Sequence, residues 1–172
     1  MRHILMTAAA GIMTLSGASL ASAQGSCTAN PCTVQVSASA TVNEVLRLSL
    51  SSTTSNLGTP SEADYDAGYR DAGGPTATVK SNSPWHVDVV GAAANFSYSG
   101  PNADPNKFST DLQWGTSAGT YGQNMGTSAP LFSGVTGTAG TSQAIFFRTL
   151  WSWASDVAGA YSLAINFTLA AP

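Results

Sequence analysis

The residues of this chain with the clearest chemical potential are a histidine and an aspartate in one strand-like segment. His86 and Asp88 are two residues apart, so both side chains would share one strand face, where a carboxylate can orient an imidazole for general-base catalysis. The many serines lie outside the G-x-S-x-G pattern that marks a nucleophile. We therefore interpret His86 and Asp88 as a surface pair beside Trp85, and we predict that the protein is not an enzyme.

A second group able to do chemistry is an acidic cluster in a stretch rich in glycine and tyrosine. Alternating carboxylates in a loop can converge on calcium, which takes roughly six to eight oxygen ligands. The spacing departs from the EF-hand pattern because Gly68 stands at the third ligand position, and Arg70 can neutralise the cluster without a metal. A solvated loop without a cofactor is our main interpretation, and a calcium site is the alternative. The candidate calcium ligands are Glu62, Asp64, Asp66 and Asp71.

Four tryptophans raise the question of glycan binding, because exposed indole rings can stack on the faces of sugar rings. Trp151 and Trp153 would share one strand face with Ile145 and Phe147, and such a continuous apolar register is typical of a sandwich core or its rim. We expect at least three of the four indoles to be buried. Glycan binding through exposed tryptophans is the alternative function, with candidate residues Trp85, Trp114, Trp151 and Trp153.

The two cysteines stand close together in the stretch CTANPC. In an oxidising compartment, the separation of Cys27 and Cys32 predicts a local disulfide across the Asn30-Pro31 turn. Because this bond closes a very short loop, we expect it to stiffen the N-terminal region more than it stabilises the domain. No further cysteine or histidine lies nearby, so we expect neither a zinc site nor a redox centre.

The beginning of the chain is typical of a cleaved export signal. A short positive start is followed by an apolar stretch over residues 4–20 and by an A-x-A cleavage pattern at residues 21–23. We therefore predict a signal peptide over residues 1–23 and a single domain over residues 24–172, located in the periplasm, at the cell surface or outside the cell. No comparable apolar run follows, so we expect no transmembrane segment in the mature chain.

The charge of the chain excludes one class of partner. Charged residues make up 9% of the sequence, and the formal net charge is −3. Nucleic-acid binding requires clustered lysine and arginine side chains that displace counterions from phosphates. The few basic residues here are scattered along the sequence, so we expect no nucleic-acid partner.

The elements that must position these residues are strands separated by turns. Two segments, Thr33–Val42 and Tyr161–Leu169, show strict period-two alternation of apolar and polar residues, which indicates strands with one buried face. A break at Asn43-Glu44 separates the first segment from a further strand over residues 46–50. The apolar positions of the two segments are Val34, Val36, Ala38, Ala40 and Val42, and Tyr161, Leu163, Ile165, Phe167 and Leu169.

The remainder of the sequence predicts more strands and no helix. Residues 57–74 are predicted to be a loop. The other predicted strands cover residues 76–81, 84–90, 95–99, 111–115, 131–135 and 143–153. About eight or nine short strands at this spacing predict an all-β protein built as an antiparallel β-sandwich.

Two stretches resemble bacterial surface proteins. The closing stretch GAYSLAINFTLAAP is similar to the terminal strand of secreted fimbrial and spore-coat-U-like domains, and VKSNSPWHVDV resembles an Asn-x-x-Trp strand of bacterial surface β-sandwiches. The resemblance implies an incomplete immunoglobulin-like sandwich whose groove is filled by the N-terminal strand of a neighbour. It also implies that Thr33–Val42 is the donor strand and that Tyr161–Leu169 borders the groove. The local pair of cysteines and the Ala-Ala-Pro end depart from the chaperone–usher pattern.

These observations favour an exported, non-enzymatic structural protein of the cell surface or extracellular space. A terminal strand with a free edge is prone to pair with another chain. Either Thr33–Val42 closes the sheet within its own molecule, which we favour slightly from sequence, or a neighbour supplies the strand in a pilin-like assembly. The expected partners are therefore copies of the chain or other surface proteins, and glycans under the alternative function.

Overall fold

The computed structural model describes residues 25–172 and divides them into two units after Thr41. Residues 42–172 form one compact unit of strands, with one short α-helix and one 3-10 turn. The predicted signal peptide over residues 1–23 lies outside the described residues. Within residues 25–172, the helices are too short to span a membrane.

Ten strands and one helix make up the compact unit. The helix, α1, covers Glu62–Ala67, and the 3-10 turn covers Ser109–Asp111. The strands are β1 (Leu46–Leu50), β2 (Tyr69–Ser81), β3 (Trp85–Gly91), β4 (Ser97–Ser99), β5 (Leu112–Gly115), β6 (Gln123–Asn124), β7 (Ala129–Gly134), β8 (Thr138–Leu150), β9 (Ala160–Ser162) and β10 (Ile165–Ala170).

The strands form two antiparallel sheets that pack face to face. The first has the order β1-β2-β8-β5-β6 and the second has the order β10-β3-β7, while β4 and β9 form a separate small ribbon. The prediction of an all-β antiparallel sandwich is therefore confirmed. The number of strands exceeds the predicted eight or nine because β6 and β9 are too short to be recognised from alternation.

The core lies between the sheets and follows directly from period-two patterning. On β3, Trp85, Val87 and Val89 point inward and are at most 2% exposed, whereas the intervening His86 and Asp88 face outward. The same alternation buries side chains of β2, β5, β7 and β8. These inward residues are Ala77, Val79, Leu112, Trp114, Ala129, Leu131, Ile145 and Phe147.

The predicted loop over residues 57–74 is a loop only up to Ser61, because α1 and the start of β2 follow, which corrects the sequence prediction. Ser61 caps α1 through a capping box with Asp64, and Gly68 ends the helix with a left-handed backbone at φ 79°. β2 then begins at Tyr69. The helix is short and has no buried residue, so its sequence lacks the hydrophobic period by which a helix could be predicted.

The closing segment is two strands rather than one, which also corrects the sequence prediction. β9 pairs with β4, whereas β10 pairs with β3 from the Ile165–Gly91 pair to the Ala170–His86 pair. The chain changes its pairing partner between Ser162 and Ile165. Alternation continues across this break because the same side of the chain still faces the apolar interior.

The final predicted strand of the first sheet ends earlier than expected. β8 stops at Leu150; Trp151 still continues its buried face at 9% exposed, as the sequence predicted, whereas Trp153 is 63% exposed and does not. After Leu150 the chain turns. The turn is stabilised by Asp156, whose carboxylate accepts a hydrogen bond from the Ser152 amide at 2.8 Å.

The N-terminal unit contains the predicted disulfide but not the predicted strand. Cys27 and Cys32 are bonded, with their Cα atoms 5.8 Å apart. Residues 33–42 form no strand in the described chain, and each of them is exposed. The prediction of a strand here is wrong for the single chain, because alternation supplies a face to bury but not the pairing partner that backbone amides and carbonyls require.

Candidate functional site

The two sheets each leave an unpaired edge on the same side of the sandwich. β1 pairs only with β2, and β10 pairs only with β3. β1 and β10 come close to each other across the gap between the sheets, but no hydrogen-bonded ladder joins them. An edge strand presents outward amide and carbonyl groups that can accept another strand. We call the space between these two edges the edge groove.

The edge groove contains a cleft of about 500 Å³. One wall is formed by Leu50 and the loop over residues 52–58, and the other by residues 161–165 together with Phe167. The buried side chains of Leu112 and Phe147 reach the floor of the cleft. The cleft is therefore continuous with the hydrophobic core.

The inward residues along both edges are incompletely buried. On β3 and β8 the inward aliphatic and aromatic residues are 0–2% exposed, whereas every inward residue of β1 and β10 remains half-buried while packing against the core. Full burial of one such side chain stabilises a protein by roughly 1.5–3 kcal/mol. A strand laid along the groove would recover part of that free energy at each position. The half-buried residues are Leu46, Leu48, Leu50, Tyr161, Leu163, Ile165, Phe167 and Leu169.

A second cavity of about 300 Å³ adjoins the cleft. It shares Leu57, Gly58 and Tyr161 with the cleft and extends to Phe96 and Trp151. Burial raises the pKa of the Tyr161 phenol, whose oxygen donates to the carbonyl of Val157 at 2.7 Å. The edge groove therefore continues past the N-terminal end of β10 into a space with aromatic walls.

The acidic cluster supports the rim of the groove. The Asp64 carboxylate accepts hydrogen bonds from the Ser61 amide at 2.7 Å and from Arg70 at 2.9 Å. These bonds, those from Ser61 above all, lower the pKa of Asp64. Arg70 also donates from Nε to the Leu57 carbonyl at 3.2 Å. The Asp64–Arg70 pair thus holds the rim loop over residues 52–58 in place.

The four candidate calcium ligands do not converge. Asp71 forms a fork with Arg148, Asp66 accepts from the Trp153 indole at 3.0 Å, and Glu62 lies in the first turn of α1. Within residues 25–172, no three metal-ligating side chains gather into a site. Asp64 and Asp71 instead form ion pairs with arginines, and Asp64 also belongs to the capping box of α1.

The Asp71–Arg148 pair joins β2 to β8 on the outer face. Arg148 donates to Asp71 from Nε at 2.7 Å and from Nη2 at 2.9 Å, and its guanidinium lies over the rings of Tyr69 and Tyr121 at 3.7 and 4.5 Å. The hydrogen bonds from Arg148 lower the pKa of the Asp71 carboxyl below its ordinary value.

This pair predicts a specific loss of stability in acid. The pKa of Asp71 is lower in the folded state than in the unfolded state. The contribution of the Asp71–Arg148 pair to the free energy of unfolding is therefore complete above the unfolded pKa, near roughly pH 4, and is lost as the pH falls through the folded pKa. We expect Asp71→Asn to be less stable than the parent at neutral pH, and its free energy of unfolding to fall less towards about pH 2. Urea unfolding at a series of pH values measures this free energy. Asp104→Asn is the control, and an equal fall of the unfolding free energy with pH in both variants would contradict the prediction.

The histidine, aspartate and tryptophan candidates are dispersed. His86 Nε2 lies 3.8 Å from Asp88 Oδ2 on the outer face of β3, as a surface pair. Trp85, Trp114 and Trp151 are at most 9% exposed, and their indole N–H groups have no acceptor within residues 25–172. Only Trp153 is exposed, at 63%, and one face of its ring is stacked on Tyr65 with the ring centroids 4.5 Å apart.

Comparison with protein-family models finds no match, and a search of curated proteins finds no similar sequence.

Sequence reasoning missed Lys107, which supports the far end of the groove. Its side chain is 2% exposed, and Nζ donates to the Leu150 carbonyl at 2.6 Å and to both oxygens of Asp156 at 3.0 and 3.1 Å. Nζ also lies 4.6 Å from the centre of the Trp151 ring and 3.5 Å from Asp111. The partners come from separate parts of the chain, so spacing alone carried no signal of this cluster.

Proposed function

We propose that this protein is an exported, non-enzymatic structural subunit that assembles by β-strand complementation in a pilin-like manner. The observation that carries the proposal is that the inward residues along both strands of the edge groove are half-buried. A sandwich complete in itself would bury them as it buries Ala129 and Leu131 on β7, the other edge strand of the second sheet, which are 8% and 6% exposed.

The occupant that we propose for the groove is residues 33–42 of a second copy of the chain. This segment carries apolar residues at every second position and no charged residue. In the single chain its valines are exposed, with Val36 at 84% and Val42 at 81%. Ten extended residues span about 33 Å. That length is enough to pair along β10 and to reach the second cavity.

Donation from each copy to the next would give a head-to-tail filament. The donating surface and the accepting surface are different parts of the chain, so the contact is heterologous and does not close on itself. Backbone hydrogen bonds to the free edges would supply affinity, and alternate side chains entering the cleft would supply specificity. The similarity of the closing strand to fimbrial and spore-coat-U-like domains supports the same proposal by analogy.

The positions of the tryptophans give little support to glycan binding, the alternative function from sequence. Three of the four tryptophans lie in the protein interior, and Trp153 already stacks on Tyr65. The described residues therefore offer no row of exposed indoles for a sugar.

Truncation tests the proposed assembly directly. We expect the chain from Gln24 onward to form linear polymers in size-exclusion chromatography and electron microscopy, and the same chain without residues 33–42 to be monomeric. A synthetic peptide of residues 33–42 should raise the melting temperature of the truncated chain by several degrees near 100 times its Kd, because binding there contributes about 2.7 kcal/mol.

The matched control is the same peptide with its three valines replaced by aspartate, which should leave the melting temperature unchanged. A chain that stays monomeric at high concentration, and that is unaffected by removal of residues 33–42, would refute the proposal.

A further inference from the structure

The segment between the exposed residues 33–42 and β1 is held in a defined conformation. Asn82, immediately after β2, makes three hydrogen bonds to it. Its side-chain oxygen accepts from the Val45 amide at 2.8 Å, its side-chain nitrogen donates to the Asn43 carbonyl at 2.8 Å, and its backbone amide donates to the Val45 carbonyl at 3.3 Å. Ser83 adds a hydroxyl bond to the Glu44 carboxylate. We call these contacts the Asn82 clamp.

The Asn82 clamp extends the pairing of β1 with β2 beyond the last regular pair. That pair joins Leu46 to Ser81. One residue further out, Val45 has both its amide and its carbonyl bonded to Asn82, and the Asn82 side chain then reaches the Asn43 carbonyl. The clamp therefore occupies the backbone groups of residues 43–45 that face β2.

This conformation conflicts with pairing of residues 33–42 along β1 of the same molecule. Such pairing requires the chain to reverse just before β1, and a loop of about three residues commonly needs a left-handed residue near its end. Residues 43–45 contain no turn, no glycine and no residue with positive φ. The residue next to β1 is Val45, whose branched side chain strongly disfavours that backbone region. Any reversal must then come before Asn43, which shortens the strand that could return.

We propose that Asn82 is a positioning residue that directs residues 33–42 to the groove of a second copy instead of their own. This inference rests on the proposed strand complementation. It decides whether residues 33–42 fill the groove of their own molecule or that of a second copy. With the clamp in place, an intramolecular hairpin must either break the Asn82 hydrogen bonds or reverse before Asn43 and return with a shorter strand. Donation to a neighbour leaves these hydrogen bonds intact.

The test is Asn82→Ala in the chain from Gln24 onward. Two side-chain hydrogen bonds are lost, so we expect the ratio of polymer to monomer to fall by roughly tenfold to a hundredfold. Asn82→Asp keeps the acceptor for the Val45 amide and should show an intermediate fall. Asn102→Ala removes an asparagine that contacts Ala158 instead of residues 43–45, and it should assemble like the parent chain.

Hydrogen exchange on the size-separated species identifies which strand fills the groove. Monomers of Asn82→Ala should protect the amides of residues 33–42 and of β10, as an intramolecular strand requires. Monomers that protect neither segment, or an Asn82→Ala chain that polymerises as the parent does, would overturn the role of Asn82 while leaving the proposed assembly intact. A parent chain that is monomeric with both segments protected would also overturn it.

Failure of the proposed function has a different signature. In that case the parent chain is monomeric, residues 33–42 exchange freely, and their removal changes nothing. The thermal melt of each variant shows whether it is folded, so a loss of polymer through misfolding is recognised by a lowered melting temperature without protection of residues 33–42.

Discussion

The substitution Val36→Asp is expected to abolish assembly without altering the stability of the single domain. Val36 is 84% exposed in the single chain, so a charge there meets only solvent. In a donated strand the same side chain would be on the face that enters the apolar edge groove. An unpaired carboxylate in an apolar site costs several kcal/mol, which corresponds to a loss of assembly of roughly a hundredfold or more.

The matched control is Ser37→Asp, one residue further along. Alternation would place this side chain on the outer face of a donated strand, so assembly should persist. Polymer length by electron microscopy and mass by light scattering measure both variants. Equal assembly of the two would contradict strand donation by this segment. The groove of Val36→Asp is unaltered, so the variant should still add to the end of a wild-type polymer and stop its growth.

Replacing Lys107 by alanine is expected to be the most destabilising single change at the site. Asp156 is 4% exposed and would lose the ammonium group that is bonded to both of its oxygens. Leaving a buried charge without its partner typically costs about 3–5 kcal/mol. The Leu150 carbonyl would lose its hydrogen bond as well, and the turn after β8 would lose its anchor.

Urea unfolding of the chain without residues 33–42 measures this loss free of any contribution from assembly. Lys80→Ala, at an exposed lysine, should change the unfolding free energy little. The pair Lys107→Met with Asp156→Asn should be less destabilising than Lys107→Ala, because no unpaired charge remains. A loss below about 1 kcal/mol for Lys107→Ala would show that the ion pair is dispensable.

How far sequence could anticipate the fold depended on whether a feature was local. Alternation identified β1, β3 and much of β2 and β8, because a strand with one buried face must repeat every two residues. The helix α1 was missed because its six residues, none of them buried, carry no hydrophobic period, although Ser61 with Asp64 three residues later matched a capping box. Trp153 was misplaced because the chain turns after Leu150, where Lys107 and Asp156 meet.

In the candidate site, too, the sequence predicted local features but not contacts between distant segments. Residues 161–169 were expected to border a groove, and four of their five apolar positions, Tyr161, Leu163, Ile165 and Phe167, line one wall of the cleft. The sequence did not reveal that the acidic cluster holds the rim loop, because Arg70 can pair with any of several carboxylates until the fold selects Asp64. Nor did it reveal the Asn82 clamp, whose partners stand 37 and 39 positions away in the chain.

The sequence by itself determined which faces are apolar, since the type and spacing of side chains decide what each segment can bury. It determined that Val34, Val36 and Val42 form such a face as surely as Ile165, Phe167 and Leu169 do. Only the tertiary structure decided which of these faces finds a partner in the single chain. Pairing depends on contacts between distant segments, and in this fold β10 packs beside β3 while residues 33–42 remain exposed.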